Sequence, residues 1–342
     1  MIFRPKRIIC PNCHSEIRIL NTSRVCATCE FELPMQYVKH FEKHTPLFIQ
    51  VFGWSQVGKT VYQDALVLLL TKMANIWPKF AYTSTTEMTQ RKLERVNEFY
   101  HDGKLPEATQ LDRREPYVML LHNMVRWGGR TLILRDCAGE SFDKIEVSEA
   151  DAPFLLKAPI IFMFISIPDI QEQNRQSMDM LLNNYINTLV SKDVDIQRSK
   201  KKIVIIFTKG DLLHDLPPHL HRYLNNDPIW NAVNREGPTK AFDSDYVEKY
   251  VNRMTQINHE IAKWICRDYA GKSFMNLAQQ NNLDLRFSLV SATGSQVGKN
   301  GYLKERLRPR RVLDPFFWAL ELQKELINDD QSFSWSRLFQ FS

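Results

Sequence analysis

The chain has 342 residues, of which 44% are hydrophobic and 25% charged, a composition typical of a globular protein with material for one large domain and a small accessory module. Its formal charge of +6 permits an anionic partner without requiring one. The longest apolar run, residues 158–167, is about half as long as a membrane span, and the first residues lack the apolar segment of a signal peptide. We therefore expect a cytoplasmic protein with no membrane span.

Two CxxC pairs lie near the start of the chain, Cys10 with Cys13 and Cys26 with Cys29. Four thiolates at this spacing can meet at a tetrahedral zinc ion, and a site closed by four protein ligands is structural rather than catalytic. A module this small buries too little surface to fold alone, so zinc binding would supply the missing free energy. The sequence predicts a zinc ribbon over residues 1–40.

Two alternatives to this cysteine site exist. His14 could replace one cysteine as a ligand. The thiols could instead form a redox pair, although a redox CxxC stands at the head of a helix and is not doubled. The segment that follows, residues 30–45, fits either a short helix or a tether.

Residues 47–52 form an apolar, β-favouring run, followed by the loop GWSQVGKT at 53–60 and then by a helical pattern. Strand, glycine-rich loop and helix in this order form a phosphate cradle, because backbone N–H groups and the helix N-terminus point at the anion. Lys59 would reach the β- and γ-phosphates, and the Thr60 hydroxyl would ligate magnesium. The alternative is a glycine-rich turn that begins an ordinary helix. The residues predicted to bind nucleotide here are Gly53, Ser55, Gln56, Val57, Gly58, Lys59, Thr60 and Val61.

Strands are next predicted at 117–125 and 131–136, after a helix at 90–101. The second strand ends in Asp136, which begins the motif DCAG. An acidic residue at the carboxyl end of a core strand is placed to face magnesium, and Gly139 could offer its backbone N–H to a γ-phosphate.

The rest of the chain alternates predicted strands and helices. This alternation predicts an α/β fold whose mostly parallel sheet has helices on both faces. The strands are predicted at 158–167, 202–207 and 285–290, and the helices at 178–189, at 245–270 with Gly271 as its C-terminal cap, and from Asp314 onward.

The motifs GWSQVGKT, DCAG, TKGD and SAT occur in this order and resemble those of the translation-factor and Ras-like class of P-loop GTPases, over residues 46–325. The resemblance implies that Lys209 packs over a guanine base and that Asp211 accepts hydrogen bonds from its N1–H and exocyclic amine. Adenine offers no such donors, so a buried carboxylate there selects GTP and GDP over adenine nucleotides. The other residues that match these motifs are Thr208, which replaces the commoner asparagine, and Ser291, Ala292 and Thr293.

The sequence departs from that class at two catalytic positions. Glu140 stands where many such GTPases have the glutamine that positions the attacking water. A carboxylate there repels the γ-phosphate, so hydrolysis should be slow or partner-stimulated, unless Glu140 points away and is structural. The magnesium-binding switch threonine is assigned to Thr109, with the rivals Thr83, Thr85 and Thr86.

The DxxGE motif, the long spacing from Thr60 to Asp136 and the sequence DPFFW at 314–318 are similar to the bacterial double-GTPase group. Members of that group tend to belong to multi-component regulatory or defence systems. This resemblance implies protein partners, as activator or effector.

Three stretches have no place in these motifs. An insertion at 212–245, rich in proline, histidine and asparagine, is expected to form a lid or partner surface, with His214, His219 and His221 as solvated residues rather than metal ligands. The basic run 304–311 could touch nucleic acid or an acidic partner, but a solvated loop is favoured. Residues 295–299 have the same sequence, SQVGK, as residues 55–59 of the phosphate loop. We interpret them as a basic loop beside the guanine-binding pocket, not as a second nucleotide site.

The sequence thus predicts a zinc ribbon (1–40) followed by a P-loop GTPase domain (46–330). The leading hypothesis is a magnesium-dependent GTPase that acts as a molecular switch. The alternative is a scaffold that holds GTP without hydrolysing it and docks protein or nucleic acid through the ribbon and basic loops. A nucleic-acid-binding factor dominated by the ribbon ranks last.

Overall fold

The computed structural model describes residues 6–19, 24–105, 115–136, 152–168, 178–212, 216–234, 242–268, 271–296, 298 and 301–329. The strands are β1 (Lys6–Ile9), β2 (Glu16–Ile19), β3 (Thr45–Gly53), β4 (Ala81–Ser84), β5 (Tyr117–Met124), β6 (Gly128–Asp136), β7 (Ile160–Ser166), β8 (Lys202–Thr208) and β9 (Asp284–Leu289). The α-helices are α1 (Met35–His40), α2 (Lys59–Lys72), α3 (Glu87–Asp102), α4 (Ala152–Lys157), α5 (Met178–Ser191), α6 (Ile196–Ser199), α7 (Pro218–Asn225), α8 (Pro228–Val233), α9 (Ser244–Asp268), α10 (Gly271–Gln280) and α11 (Leu313–Asp329).

A seven-stranded sheet in the order β4-β5-β6-β3-β7-β8-β9 forms the centre of the molecule. The strand pairs from β6 to β9 are parallel, and β4, β5 and β6 pair antiparallel. Strands β3, β7 and β8 are almost continuously apolar because helices cover both faces of the sheet. The predicted mostly parallel α/β fold is confirmed.

The described residues before β3 pack against this sheet. β1 and β2 form an antiparallel hairpin, and the Tyr37 hydroxyl of α1 donates to the Ile9 carbonyl (2.7 Å). The His14 ring lies 4.2 Å from the ring of Phe48 on β3 and 4.1 Å from that of Phe154 on α4. The apolar residues of the hairpin therefore belong to the same buried cluster as those of the sheet.

The structure differs from the sequence analysis at two local points. It contains β4, which was not predicted because its four residues carry little apolar signal and lie at the sheet edge. Gly271 is not a left-handed cap, because it has no positive φ and begins α10. A glycine is required at this position because any Cβ would lie 2.8 Å from the Ile265 carbonyl, too close for a real contact.

Within the predicted insertion at 212–245, residues 216–234 form α7 and α8. The role of the insertion as a lid or partner surface stays a prediction. Pro217 precedes α7, and Asp227 caps α8 by accepting from the N–H groups of Ile229 and Trp230. The apolar faces of both short helices are buried. His214 lies outside the described residues, whereas His219 is 3.6 Å from Glu260.

The basic run 304–311 is not uniformly solvated, because Arg311 is only 6% exposed. Its guanidinium donates to the carbonyls of Tyr223 (2.9 Å) and Asn226 (2.6 Å) and stacks on the Tyr223 ring, 3.6 Å from the centroid. The Arg311 N–H also donates to the Asp227 carboxylate (2.6 Å). A buried arginine thus joins the chain before α11 to both short helices.

Asp314 is the second buried charge of this network. Its carboxylate accepts from the hydroxyls of Tyr223 and Tyr250, each at 2.5 Å. Burial raises the pKa of this carboxyl to about 6, although the Arg311 cation opposes the shift.

We predict that Arg311→Ala lowers the free energy of unfolding by about 3–5 kcal/mol, because it leaves two buried carboxylates without a cation. Urea denaturation measures the loss. Lys304→Ala, at an exposed position of the same basic run, serves as the control and should change stability by less than about 0.5 kcal/mol. Equal losses in the two variants would contradict the network's role.

Candidate nucleotide site

The phosphate loop begins where β3 ends. Gly53 has a φ of 150°, and a Cβ there would lie 2.8 Å from the Phe164 carbonyl of β7. Gly58 has a φ of 90° and forms the N-cap of α2. Gly53 is required because its backbone lies too close to β7 for a side chain, and Gly58 because its backbone has a left-handed conformation.

Lys59 is the first residue of α2 and is 8% exposed. Its ammonium donates to the carbonyls of Gly53 (2.7 Å) and Trp54 (2.5 Å), so it lies across the loop. The remaining predicted residues of the loop differ in exposure: Ser55 and Gln56 are exposed, Val57 is buried, and Thr60 and Val61 are half-buried.

Asp136 ends β6, in register with Val51 of β3. The Thr60 hydroxyl donates to its Oδ2 at 3.4 Å. Its Oδ1 is buried and has no hydrogen-bond partner among the described residues. Hydroxyl and carboxylate oxygens are the ligands that magnesium prefers, so Thr60 and Asp136 fit a magnesium site.

The TKGD motif lies against the phosphate loop. The buried Thr208 hydroxyl at the end of β8 donates to the Val57 carbonyl of that loop (2.7 Å). Lys209 follows with a φ of 57°, and the Gly210 N–H donates to the Val290 carbonyl at the end of β9 (3.1 Å). Two segments about 150 residues apart in sequence are thereby joined by a side-chain hydrogen bond.

The SAT motif orients the acid of TKGD. The Ser291 hydroxyl donates to Asp211 Oδ1 (2.5 Å) and accepts from the Gly294 N–H (2.9 Å). Ala292 and Thr293 are half-buried, and the Thr293 carbonyl accepts from the Arg308 N–H (2.8 Å). The Ser291 hydroxyl thus fixes Oδ1 of Asp211, and this contact orients the whole carboxylate, including Oδ2.

Several predicted residues lie outside the described residues: Thr109, Gly139, Glu140, and the loop positions 297, 299 and 300. The alternative switch threonines, Thr83, Thr85 and Thr86, have side-chain contacts within their own part of the structure. Thr85 donates to the Val118 carbonyl (2.7 Å), and Thr86 caps α3 by accepting from the Thr89 N–H (3.1 Å). Thr83 lies 3.3 Å from His122 Nε2.

The sulfur atoms of Cys10, Cys13, Cys26 and Cys29 all lie within 4.8 Å of one another. Cys10 and Cys29 are 3.7 Å apart, and Cys13 and Cys26 are 3.6 Å apart. Tetrahedral zinc with Zn–S bonds of about 2.3 Å requires S···S separations of about 3.8 Å, so the cysteines fit zinc. His14 is not part of this cluster, because its ring lies between Phe48 and Phe154.

Sequence reasoning missed the residues that connect the cysteine cluster to the sheet. Asn12, inside the first knuckle, donates its amide to Cys29 Sγ and its backbone N–H to Cys10 Sγ, each at 3.4 Å. Arg135 donates to the Asn12 carbonyl (3.0 Å) and side-chain oxygen (2.7 Å). Since Arg135 immediately precedes Asp136, the cysteine cluster is connected to the edge of the candidate magnesium site. No sequence motif marks this pair.

This arrangement of phosphate loop, strand-end aspartate and TKGD and SAT motifs defines the site of a P-loop GTPase. The Double-GTPase 2 family profile matches residues 47–282, more than half of the chain. The chain belongs to the Double-GTPase 2 family, and the predicted resemblance is confirmed.

Among solved structures, the chain is similar to the S. cerevisiae Ski7 GTPase-like domain bound to GDP and inorganic phosphate, with 14% sequence identity and a TM-score of 0.36. The match covers 84% of this chain and 52% of that one, so it spans about half of the yeast chain. No curated protein matches the chain. Within the described residues, no helix has the length and apolarity needed to cross a membrane.

We predict that the purified chain contains about one zinc ion per molecule, measured by inductively coupled plasma mass spectrometry, and that Cys26→Ser removes most of it. The same variant should unfold at a lower urea concentration, because metal binding supplies folding free energy to the small hairpin.

The control is Cys266→Ser, at a half-buried cysteine outside the cluster, which should retain the full zinc content. A zinc-free wild-type chain, or equal zinc content in the two variants, would show that the cluster holds no zinc.

Proposed function

We propose that the chain is a magnesium-dependent GTP-binding and hydrolysing molecular switch with slow intrinsic hydrolysis. The observation that carries this proposal is the 2.7 Å hydrogen bond from Thr208 to the Val57 carbonyl, which puts the guanine-type motif beside the phosphate loop. Membership of a GTPase family supports it independently.

In this proposal each motif has one task. The backbone N–H groups of 53–60 and the N-terminus of α2 bind the phosphates, and Lys59 moves from the loop carbonyls to the β- and γ-phosphate oxygens. Thr60 and Asp136 would hold magnesium, which neutralises phosphate charge when it is bound. Asp211 accepts from the guanine N1–H and exocyclic amine, and Lys209 packs over the base.

We infer the slow rate from Glu140, because a carboxylate in place of the glutamine that positions the attacking water would repel the γ-phosphate. A partner that supplies a cation or reorients this residue would accelerate the reaction. We therefore propose that the chain works with an activator or effector protein, as one component of a multi-protein bacterial regulatory or defence system. Thr109 and Gly139 would sense the γ-phosphate in the switch loops.

A second function, a GTP-bound scaffold without turnover, is supported by the contact of Arg135 with Asn12. That contact holds the cysteine module against the strand end that bears Asp136, so the nucleotide could stabilise a docking surface instead of driving a cycle. Phosphate release at saturating GTP separates the two functions, because a scaffold gives none.

We predict that the chain binds GTP at least about a hundredfold more tightly than ATP, and that Asp211→Ala weakens GTP binding by a similar factor while leaving ATP binding unchanged. The variant removes charged acceptors that only guanine can use. Isothermal titration calorimetry with magnesium present measures both affinities.

Glu248→Ala, at an exposed acid on α9, is the matched control and should bind GTP as the wild type does. Equal affinities for GTP and ATP, or a GTP affinity that Asp211→Ala does not change, would overturn the guanine assignment.

A further inference from the structure

A cavity of about 460 Å³ lies between α2, α3, α8 and the segment 306–308. Its volume is within the range of small-molecule sites. Lys72, the last residue of α2, lines it, whereas Lys59 of the phosphate loop is the first residue of that helix. A helix of this length extends about 20 Å, so the cavity is separate from the phosphate cradle.

Part of the cavity lining is cationic. Lys72, Arg306 and Arg308 line it, and no acidic side chain does so among the described residues. Exposed cations usually face solvent, but three of them around one concave site, with no acid among the lining residues, produce a locally positive potential. Arginine and lysine in such a setting recognise phosphate.

Tyr100 lines the cavity beside two of these cations, Lys72 and Arg306. The Lys72 ammonium is 3.8 Å from the centroid of its ring. Burial raises the pKa of Tyr100, but Lys72 and Arg306 beside its hydroxyl more than offset this effect and leave the pKa below the ordinary tyrosine value. Lys72 and Arg306 therefore both lie near Tyr100, which lines the cavity with them.

Another part of the cavity lining is apolar. It consists of Trp230 and Val233 of α8 and of Leu307. A ligand that contacts both parts of the lining needs an apolar ring and a phosphate. A nucleotide has both.

We propose that this cavity is a second ligand site, which binds a small phosphorylated molecule with an aromatic ring, such as a nucleoside monophosphate. Lys72, Arg306 and Arg308 hold the phosphate, and Trp230 packs against the ring. The site lies beyond the GTP-binding function and does not depend on it.

The wall of this cavity is continuous with the segment beside the SAT motif. The Arg308 N–H donates to the Thr293 carbonyl, and Ser291 and Arg310 exchange two backbone hydrogen bonds (3.1 and 2.8 Å). The residues that hold the phosphate are therefore fixed to the loop that orients Asp211.

The test titrates the 342-residue chain, saturated with GDP and magnesium, with AMP in a calorimeter. AMP is chosen because the proposed guanine site rejects adenine. Adenosine and inorganic phosphate, titrated separately, measure the ring and phosphate contributions. We expect AMP to bind one site more tightly than either fragment does, and the double variant Arg306→Ala/Arg308→Ala to weaken AMP binding by about tenfold or more.

Two further measurements decide where AMP binds. Lys304→Ala, at an exposed cation that does not line the cavity, should leave AMP binding unchanged, and additional GDP should not displace AMP from the wild-type chain. AMP that GDP displaces, and that the double arginine variant still binds, would lie in the phosphate loop and overturn the proposal. Absence of AMP binding, including the case in which an acidic phosphopeptide binds instead, would overturn it as well.

Discussion

The hydrogen bond from Thr208 to the Val57 carbonyl is the contact on which the nucleotide site depends. It connects the turn after β3 to the end of β8, and β7 lies between these two strands in the sheet. Because the parallel strands end at the same edge, the phosphate loop and the TKGD and SAT motifs need only short loops to meet. The sheet provides the geometry, and the buried threonine hydroxyl fixes the loop against it.

The cysteine module is connected to this edge through Arg135. The guanidinium binds Asn12, which in turn donates to two of the cysteine sulfurs, and the neighbouring residue on the strand is Asp136. Hydrogen bonds to metal-binding sulfurs commonly orient the ligands. The cysteine module is thereby held against the strand that ends in Asp136.

The sequence predicted the central fold because its signals were local and strong. β3, β7 and β8 are almost continuously apolar, and the motifs follow the strands directly. Prediction failed where burial depends on distant residues. Arg311 reads as part of a basic surface run, but Tyr223, Asp227 and Asp314 come together around it only in the folded chain. Asn12 and Arg135 carry no motif for the same reason.

The helices of the insertion show a related limit. The composition of residues 216–234, rich in proline, histidine and asparagine, did not predict helices, yet Pro217 and Asp227 precede two short helices whose apolar faces are buried. For helices this short, tertiary packing decides, and a pattern of three or four apolar residues is too brief to distinguish from chance. The cationic cavity was equally invisible, since its lining comes from four separate elements.

The central claim is that one molecule of GTP contacts the phosphate loop and the TKGD motif together. The most direct measurement is a crystal structure of the chain with magnesium and a non-hydrolysable GTP analogue. The account predicts phosphates within 53–60, and Asp211 in hydrogen-bond contact with the guanine N1–H and amine. A base bound away from Asp211, or phosphates outside that loop, would contradict it.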